Sequence, residues 1–303
     1  MNTRSPNFGH EPVMLAEVLG WLGHVRGGWL VDGTVGMGGH ALGLLEATPP
    51  DVKLLGLDRD PEAVQASKER LARFGSRATI LHHGYEELPQ VMAELGVDRV
   101  SGVLLDLGLS SAQLASNRGF SFLGDAPLDM RFDPTSGPTA AQLIRELPVR
   151  KLAEAFMAYG ELAAGGRLAR RLKEEARLGR MKTTAEFAAV CVEVLGPRVR
   201  KMPSPTLPAQ ALRILANREL ERLEAFLHAL PKLLAPGGRA AVVSYHSLED
   251  RRVKLAFRAM ERGGEFKVLT RRPDTPSVAE VAANRRARSA RLRVIERQAE
   301  GRQ

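Results

Sequence analysis

Short apolar runs alternate with amphipathic stretches through the first third of the chain. Trp29-Leu30-Val31-Asp32 predicts a strand that ends in a glycine-rich turn, and residues 40–47 predict the helix after it. Residues 52–58 (VKLLGLD) predict a second strand. Asp60-Pro61 then opens a helix through about residue 74, with Asp as its cap and Pro in the first turn, where a missing N–H costs nothing. Residues 78–82 and 100–107 predict the third and fourth strands. Strand and helix alternating at this spacing argue for a parallel sheet with helices on both faces.

The pattern breaks after Leu109. Residues 110–138 are rich in Gly, Pro, Ser and Asp, and residues 140–195 read as one long helical region. Pro197, Pro203, Pro205 and Pro208 predict an extended linker. Residues 209–234 are helical again, and residues 240–245 (AAVVSY) predict a buried strand after the turn at Pro236-Gly237-Gly238. A helix over 248–261 and a closing antiparallel pair, 266–270 with 291–296, complete the chain. The expected architecture is an α/β sheet domain, residues 1–109 and 209–303, split by a helical insertion, residues 110–208, expected to recognise the substrate.

Composition narrows the function. The 303 residues carry 44 Lys+Arg against 35 Asp+Glu, a net charge of +9 that favours a polyanionic partner. With Cys191 the one cysteine, disulfides within the chain and cysteine-rich zinc sites are excluded, which suits a reducing compartment. Residues 1–15 lack a basic region followed by an apolar run, so no signal peptide is expected. No stretch approaches the ~20 apolar residues of a spanning helix, so no membrane partner is expected and the location is cytoplasmic.

The turn after the first strand reads Asp32-Gly33-Thr34-Val35-Gly36-Met37-Gly38-Gly39-His40. Glycines there let a ligand approach the backbone, and the helix start offers free N–H donors. Asp58, at the end of the second strand, is placed to accept from ribose hydroxyls. Gly36, Gly38 and Ala41 leave a dinucleotide site open beside an S-adenosylmethionine site. Tyr85, just past the third strand, is a candidate to pack on an adenine face.

From the fourth strand onward the residues become specific. Leu104-Leu105-Asp106-Leu107-Gly108-Leu109-Ser110-Ser111-Ala112-Gln113-Leu114 is followed by Arg118-Gly119-Phe120-Ser121-Phe122 and Pro127-Leu128-Asp129-Met130-Arg131. This series resembles the ribosomal RNA small-subunit methyltransferase H (MraW) family. His10-Glu11-Pro12-Val13-Met14-Leu15, Gly38-Gly39-His40, Tyr159-Gly160-Glu161, residues 210–214, residues 244–251 and residues 284–293 agree with it, in order and over nearly the whole chain.

The resemblance implies a class I (Rossmann-like) S-adenosylmethionine methyltransferase sheet with an inserted helical domain. It implies methylation of the N4 amine of a decoding-region cytosine in 16S rRNA, within the small ribosomal subunit. It also implies cofactor contacts from Gly36, Gly38, Gly39, His40, Asp58, Tyr85, Asp106 and Gln113, with Tyr85 standing where the family usually has Phe. Pro203-Ser204-Pro205-Thr206-Leu207-Pro208 departs from the family's usual segment, and Gly165-Gly166 interrupts a helix that is normally more regular. Both departures bear on substrate docking.

A cytosine N4 amine is a weak nucleophile, because its lone pair is delocalised into the ring. An oxygen acceptor on its N–H helps to restore that pair and later takes the proton. Asp106 at the end of the fourth strand is the first candidate, ahead of Ser110 and Asp129. Two roles are open to Asp106, holding the methionine amino group or holding the target amine; Asp129 is as well placed to cap a loop or pair with Arg131. C5 methylation would need a cysteine nucleophile, and Cys191 lies in an apolar helical stretch. His246 is either a substrate contact or a structural hydrogen bonder.

Three basic clusters are candidate phosphate contacts: residues 167–182, residues 198–201, and Arg285, Arg286, Arg288, Arg291 and Arg293. The target base must leave its stack, and Phe120, Phe122 and Phe132 are candidates either to receive it or to pack a core. No metal site is expected, and a homodimer is one arrangement that the sequence admits. The rival classes are a DNA amine methyltransferase, whose usual Pro-Pro loop is missing, a nicotinamide-dependent oxidoreductase, and an RNA-binding assembly factor that keeps a relict cofactor site.

Overall fold

A computed structural model describes residues 12–299. The expectations on residues 1–11, including the His10-Glu11 end of one matching segment, lie outside the described residues. In chain order the elements are α1 (Leu15–Leu22), β1 (Trp29–Asp32), α2 (Gly39–Ala47), β2 (Lys53–Asp58), α3 (Pro61–Leu71), β3 (Ala78–His82), α4 (Leu88–Glu94) and β4 (Val100–Asp106). Then follow α5 (Ser111–Ala115), α6 (Ala140–Glu146), α7 (Val149–Ala158), α8 (Gly165–Arg177), α9 (Thr184–Leu195), β5 (Arg198–Val199), β6 (Met202–Pro203), α10 (Thr206–Asn217) and α11 (Glu219–Leu233). The chain closes with β7 (Leu234–Ser244), α12 (Ser247–Arg262), β8 (Phe266–Val268), α13 (Val278–Ala283) and β9 (Arg291–Arg297). Among the described residues, no helix is long and apolar enough to cross a membrane.

The chain divides into two compact units. The first holds the residues up to Gly108 and from Leu223 onward; the second holds Leu109–Arg222.

In the first unit seven strands lie in the order β3-β2-β1-β4-β7-β9-β8. Pairings from β3 through β7 are parallel, and β9 runs against both its neighbours. A parallel sheet whose order reverses beside the first strand and that closes with one antiparallel strand is the class I methyltransferase sheet. Period-two side chains feed a core on each face. Leu30, Leu54, Leu104 and Val243 pack on one side, while Val31, Leu55, Leu105 and Val242 pack on the other. Between β1 and β4 the strand order switches, and in such sheets a ligand sits in the crevice beyond the carboxyl ends of those strands.

Two details of this unit were not expected. Leu88, Val91 and Met92 bury one face of α4, a helix of two turns that is too short to show a clear period in the sequence. β7 begins at Leu234 rather than after the glycines, because the register to β4 shifts between Val100 and Gly102 and lets Pro236-Gly237-Gly238 bulge.

The second unit is helical around its own core, built on Phe156, Phe187, Leu168, Leu172 and Leu212. The long helical region is four helices. Its breaks fall at Pro148, at Glu161 (φ 49°) and at Met181 (φ 81°), left-handed positions that Glu and Met rarely take. Gly165-Gly166 does not interrupt a helix but starts α8, where a Cβ on Gly165 would stand 2.9 Å from Met157 Cγ.

The expected linker is a tight hairpin. Arg200 and Lys201 turn β5 into β6 with φ 49° and 68°, and α10 begins at Thr206 with Pro208 in its first turn. α10 buries Leu207, Ala211 and Leu212 in this core, so the helical unit continues to Arg222 instead of ending at 208. Asn217 ties its end down: Oδ1 accepts from Phe132 N at 2.7 Å, and Nδ2 donates to Met130 O at 2.8 Å.

Candidate functional site

The glycine turn is drawn against the sheet by main-chain bonds. Gly33 N–H donates to Leu104 O at 2.9 Å, and Val35 N–H to Leu57 O at 2.8 Å. A Cβ at Gly33 would collide with Leu105 and stand 2.9 Å from the Tyr85 Cβ, so only glycine fits there. Gly36 and Gly38 have φ of 52° and 75°. Gly38 caps α2 in the left-handed conformation, and Gly39 begins the helix. A Cβ on any other residue at position 38 would bring a conformational cost of about 1–2 kcal/mol.

Asp58 organises the turn from the end of β2. Its Oδ2 accepts from Gly36 N–H at 2.8 Å and its Oδ1 from Asp60 N–H at 2.9 Å. Burial pushes its carboxyl up to about 6, against the pull of those N–H donors. Tyr85 follows β3 half-buried, its ring meeting Phe226 edge to face with centroids 5.8 Å apart.

At the end of β4, the Asp106 N–H donates to Thr34 Oγ1 at 2.6 Å, which ties the strand end to the glycine turn. An Asp106 carboxylate oxygen lies 3.5 Å from His40 Nε2. The Tyr245 hydroxyl, at the end of β7, donates to the same carboxylate. Burial, then the Asp106 charge, pushes that phenol far above its ordinary range. The Tyr245 ring covers Gly108, where a Cβ would stand 2.6 Å from Cε2.

Asp32 is fully buried beneath the turn, and Thr34 N–H donates to its Oδ1 at 3.2 Å. Burial raises its carboxyl to about 7, with His40 opposing the rise. Among the described residues, Asp32 Oδ2, both ring nitrogens of His40 and Asp106 Oδ1 are buried without hydrogen-bond partners. The first unit thus gathers Gly36, Gly38, Gly39, His40, Asp58, Tyr85 and Asp106 at one end of its sheet. Thr34 and Tyr245 join them and were not singled out from the sequence. Tyr245 lies inside the 244–251 segment, so its signal was its place as the last residue of the predicted buried strand.

The remaining candidates belong to the second unit. Ser110 caps α5: its Oγ accepts from Gln113 N–H at 3.0 Å, and Gln113 Oε1 accepts from Ser110 N–H at 2.9 Å. Asp129 is held in a fork by Arg131, with Nε 2.7 Å from Oδ1 and Nη2 2.8 Å from Oδ2. Phe120 stacks on Phe132 and Phe122 meets Phe187 at a tilt, so these rings pack the core of that unit instead of standing ready for a base. Cys191 is fully buried there, and burial pushes its thiol well above the usual range. Much of the first basic cluster is engaged, Arg171 with Glu175 and Glu193 and Arg180 with Glu175. In the first unit His246 caps α12, its Nδ1 accepting from Glu249 N–H at 3.4 Å.

The model of the MraW methylase family matches residues 7–298. A ribosomal RNA small subunit methyltransferase H from Syntrophus aciditrophicus is 43% identical, over 95% of this chain and 97% of its own. Another of that name from Geobacter sulfurreducens is 43% identical over 96% of this chain and 99% of its own. Among solved structures, a SAM-dependent O-methyltransferase from Thermotoga maritima covers 97% of this chain and 69% of its own, at 11% identity and a TM-score of 0.42. The chain belongs to the MraW methylase family.

Proposed function

We propose that this protein transfers the methyl group of S-adenosylmethionine to the exocyclic N4 amine of a decoding-region cytosine in 16S rRNA. Family membership supports methylation of small-subunit ribosomal RNA. The choice of an amine rests on one observation: a carboxylate, Asp106, stands at the end of β4 with a buried oxygen that has no hydrogen-bond partner among the described residues.

The residues fit the cofactor. Unsatisfied buried polar atoms cost about 1–3 kcal/mol each, and Asp32 Oδ2 and the His40 nitrogens are grouped around the glycine turn. A ligand with an amino-acid tail supplies both donors and acceptors for them. Asp58, fixed by two backbone donors, retains lone pairs for ribose hydroxyls. Gly36 and Gly38 keep the backbone bare for close approach, and Tyr85 presents an aromatic surface for adenine. On the family resemblance, Gln113 is a further cofactor contact.

When bound, S-adenosylmethionine supplies an electrophilic methyl carbon on its sulfonium. The protein's part is to position the amine in line and to draw on its N–H. Asp106 does this: its carboxylate accepts from the amine and takes the proton once the nitrogen is methylated. The Tyr245 hydroxyl holds that carboxylate from behind. Ser110 and Asp129 rank after Asp106, because the first caps α5 and the second already has both oxygens on Arg131. C5 chemistry lacks its nucleophile, since Cys191 is buried and its thiol is held protonated.

The test is transfer of a labelled methyl group to small ribosomal subunits that lack this modification, read by nucleoside mass spectrometry. N4-methylcytidine is the expected product. Binding of S-adenosylmethionine with no transfer to subunits, naked rRNA or DNA would replace this reading with that of an RNA-binding protein.

A further inference from the structure

Away from the glycine turn, the first unit has a cavity of about 340 Å³ beside α12 and β8. Four cations line it: Lys254 and Arg258 from α12, Arg271 from the segment after β8, and Arg293 from β9. Spacing of four and three residues puts Lys254, Arg258 and Glu261 on one face of the helix. Val294 N–H donates to Thr270 Oγ1 at 2.8 Å and Leu269 N–H to Val294 O at 2.9 Å, which pins the Arg271 segment alongside β9.

The acids nearby are already committed. Asp250 is shared, with Arg293 Nε 2.6 Å from one oxygen and Arg291 Nη1 3.1 Å from the other. Glu261 Oε1 accepts from Val268 N–H at 3.0 Å. Among the described residues, Lys254, Arg258 and Arg271 have no ion pair. Arg293 is 6% exposed and locked by Asp250, whereas Arg258 and Arg271 are exposed. Positive charge therefore grades from solvent into a cavity lined by four cations against one carboxylate, Glu261.

We propose that this cavity docks backbone phosphate of the substrate RNA, apart from the crevice where the methyl group moves. A phosphodiester offers oxygen acceptors to guanidinium forks and, unlike a compact buried anion, leaves its flanking chain at the surface with Arg258 and Arg271. The Thr270 hydroxyl, which accepts the Val294 N–H, keeps its own proton to donate. The inference rests on the reading of ribosomal RNA as substrate and adds a contact that the reaction itself does not require.

The experiment measures binding, without methyl transfer, of unmodified small subunits across a salt series. It uses the wild type, the double variant Lys254→Glu/Arg271→Glu, its milder form Lys254→Gln/Arg271→Gln, and the control Arg99→Glu before β4. The Glu double variant is expected to bind about tenfold more weakly at about 150 mM salt, with a log–log salt slope shallower by about 2. The Gln form should fall between, the control should match the wild type, and affinity for S-adenosylmethionine should not change. Wild-type affinity and slope in both double variants, or equal weakening by Arg99→Glu, overturns the proposal. So does stabilisation of the wild type alone by about 10 mM inorganic phosphate with subunit binding unaltered in the variants, which would assign the cavity to free phosphate. Subunit binding with the expected slopes but no N4-methylcytidine would instead sink the proposed reaction and leave this site standing.

Discussion

His40 Nε2 stands 3.5 Å from an oxygen of Asp106, across the gap between the first turn of α2 and the end of β4. The two come from neighbouring strand–turn units, and the Tyr245 hydroxyl reaches the same carboxylate from the end of β7. Three parallel strands thus deliver one side chain each to a single carboxylate-centred group.

If Asp106 draws on the amine proton, Asp106→Asn should lower kcat by about 10²–10³ while changing cofactor affinity only a few-fold. Tyr245→Phe, which removes the hydroxyl but keeps the ring over Gly108, should lose about tenfold in kcat. Single-turnover transfer and calorimetric titration with S-adenosylmethionine check both. Wild-type turnover in Asp106→Asn would remove this residue from the mechanism.

Gly38 caps α2 with φ 75°, so Gly38→Ala forces a left-handed alanine next to the cofactor turn. The expected cost is about 1–2 kcal/mol, divided between stability and ligand affinity. Cofactor affinity about tenfold weaker, with a small fall in melting temperature, is the expected pair of observations.

Asp32 carries a pH dependence whose sign follows from burial. Its folded pKa is raised to about 7 from 3.8, so between these values the folded state binds the extra proton. Stability contributed by this group is therefore present below about pH 4 and lost as pH rises toward 7. Asp32→Asn keeps the Oδ1 acceptor for Thr34 N–H and removes the charge. The cofactor-free variant should exceed the wild type in stability at pH 8, by an amount on the order of 1 kcal/mol or more, and converge with it near pH 4. Urea unfolding at the two pH values measures the difference; parallel curves would refute the assignment.

Cys191 is fully buried in the helical unit. Cys191→Ala should leave kcat unchanged and cost about 1–2 kcal/mol for the small cavity it opens. The native thiol should resist alkylation until the protein unfolds. A large loss of kcat in this variant would reopen C5 chemistry.

Much of the sheet unit was legible because its signals are local. The apolar runs at 29–32, 52–58, 78–82 and 100–107 became strands within a residue or so of where the pattern put them. Asp60-Pro61 and the glycine turn marked helix starts by chemistry that any solvent-exposed turn obeys. The helical unit was read less well. Its breaks run through Gly160-Glu161 and from Gly179 to Met181, and these glycines were not read as helix ends.

The sequence by itself determined which segments are strands, where a ligand could approach bare backbone, and which carboxylates end up at strand ends. Only the tertiary structure decided that Tyr245 reaches Asp106 and that Lys254, Arg271 and Arg293 share one cavity. Secondary structure follows from periodicity over a few residues, whereas these meetings join positions that only sheet order and long-range packing bring together. Their physical cause is the registration of β4, β7 and β9, which no short window of sequence contains.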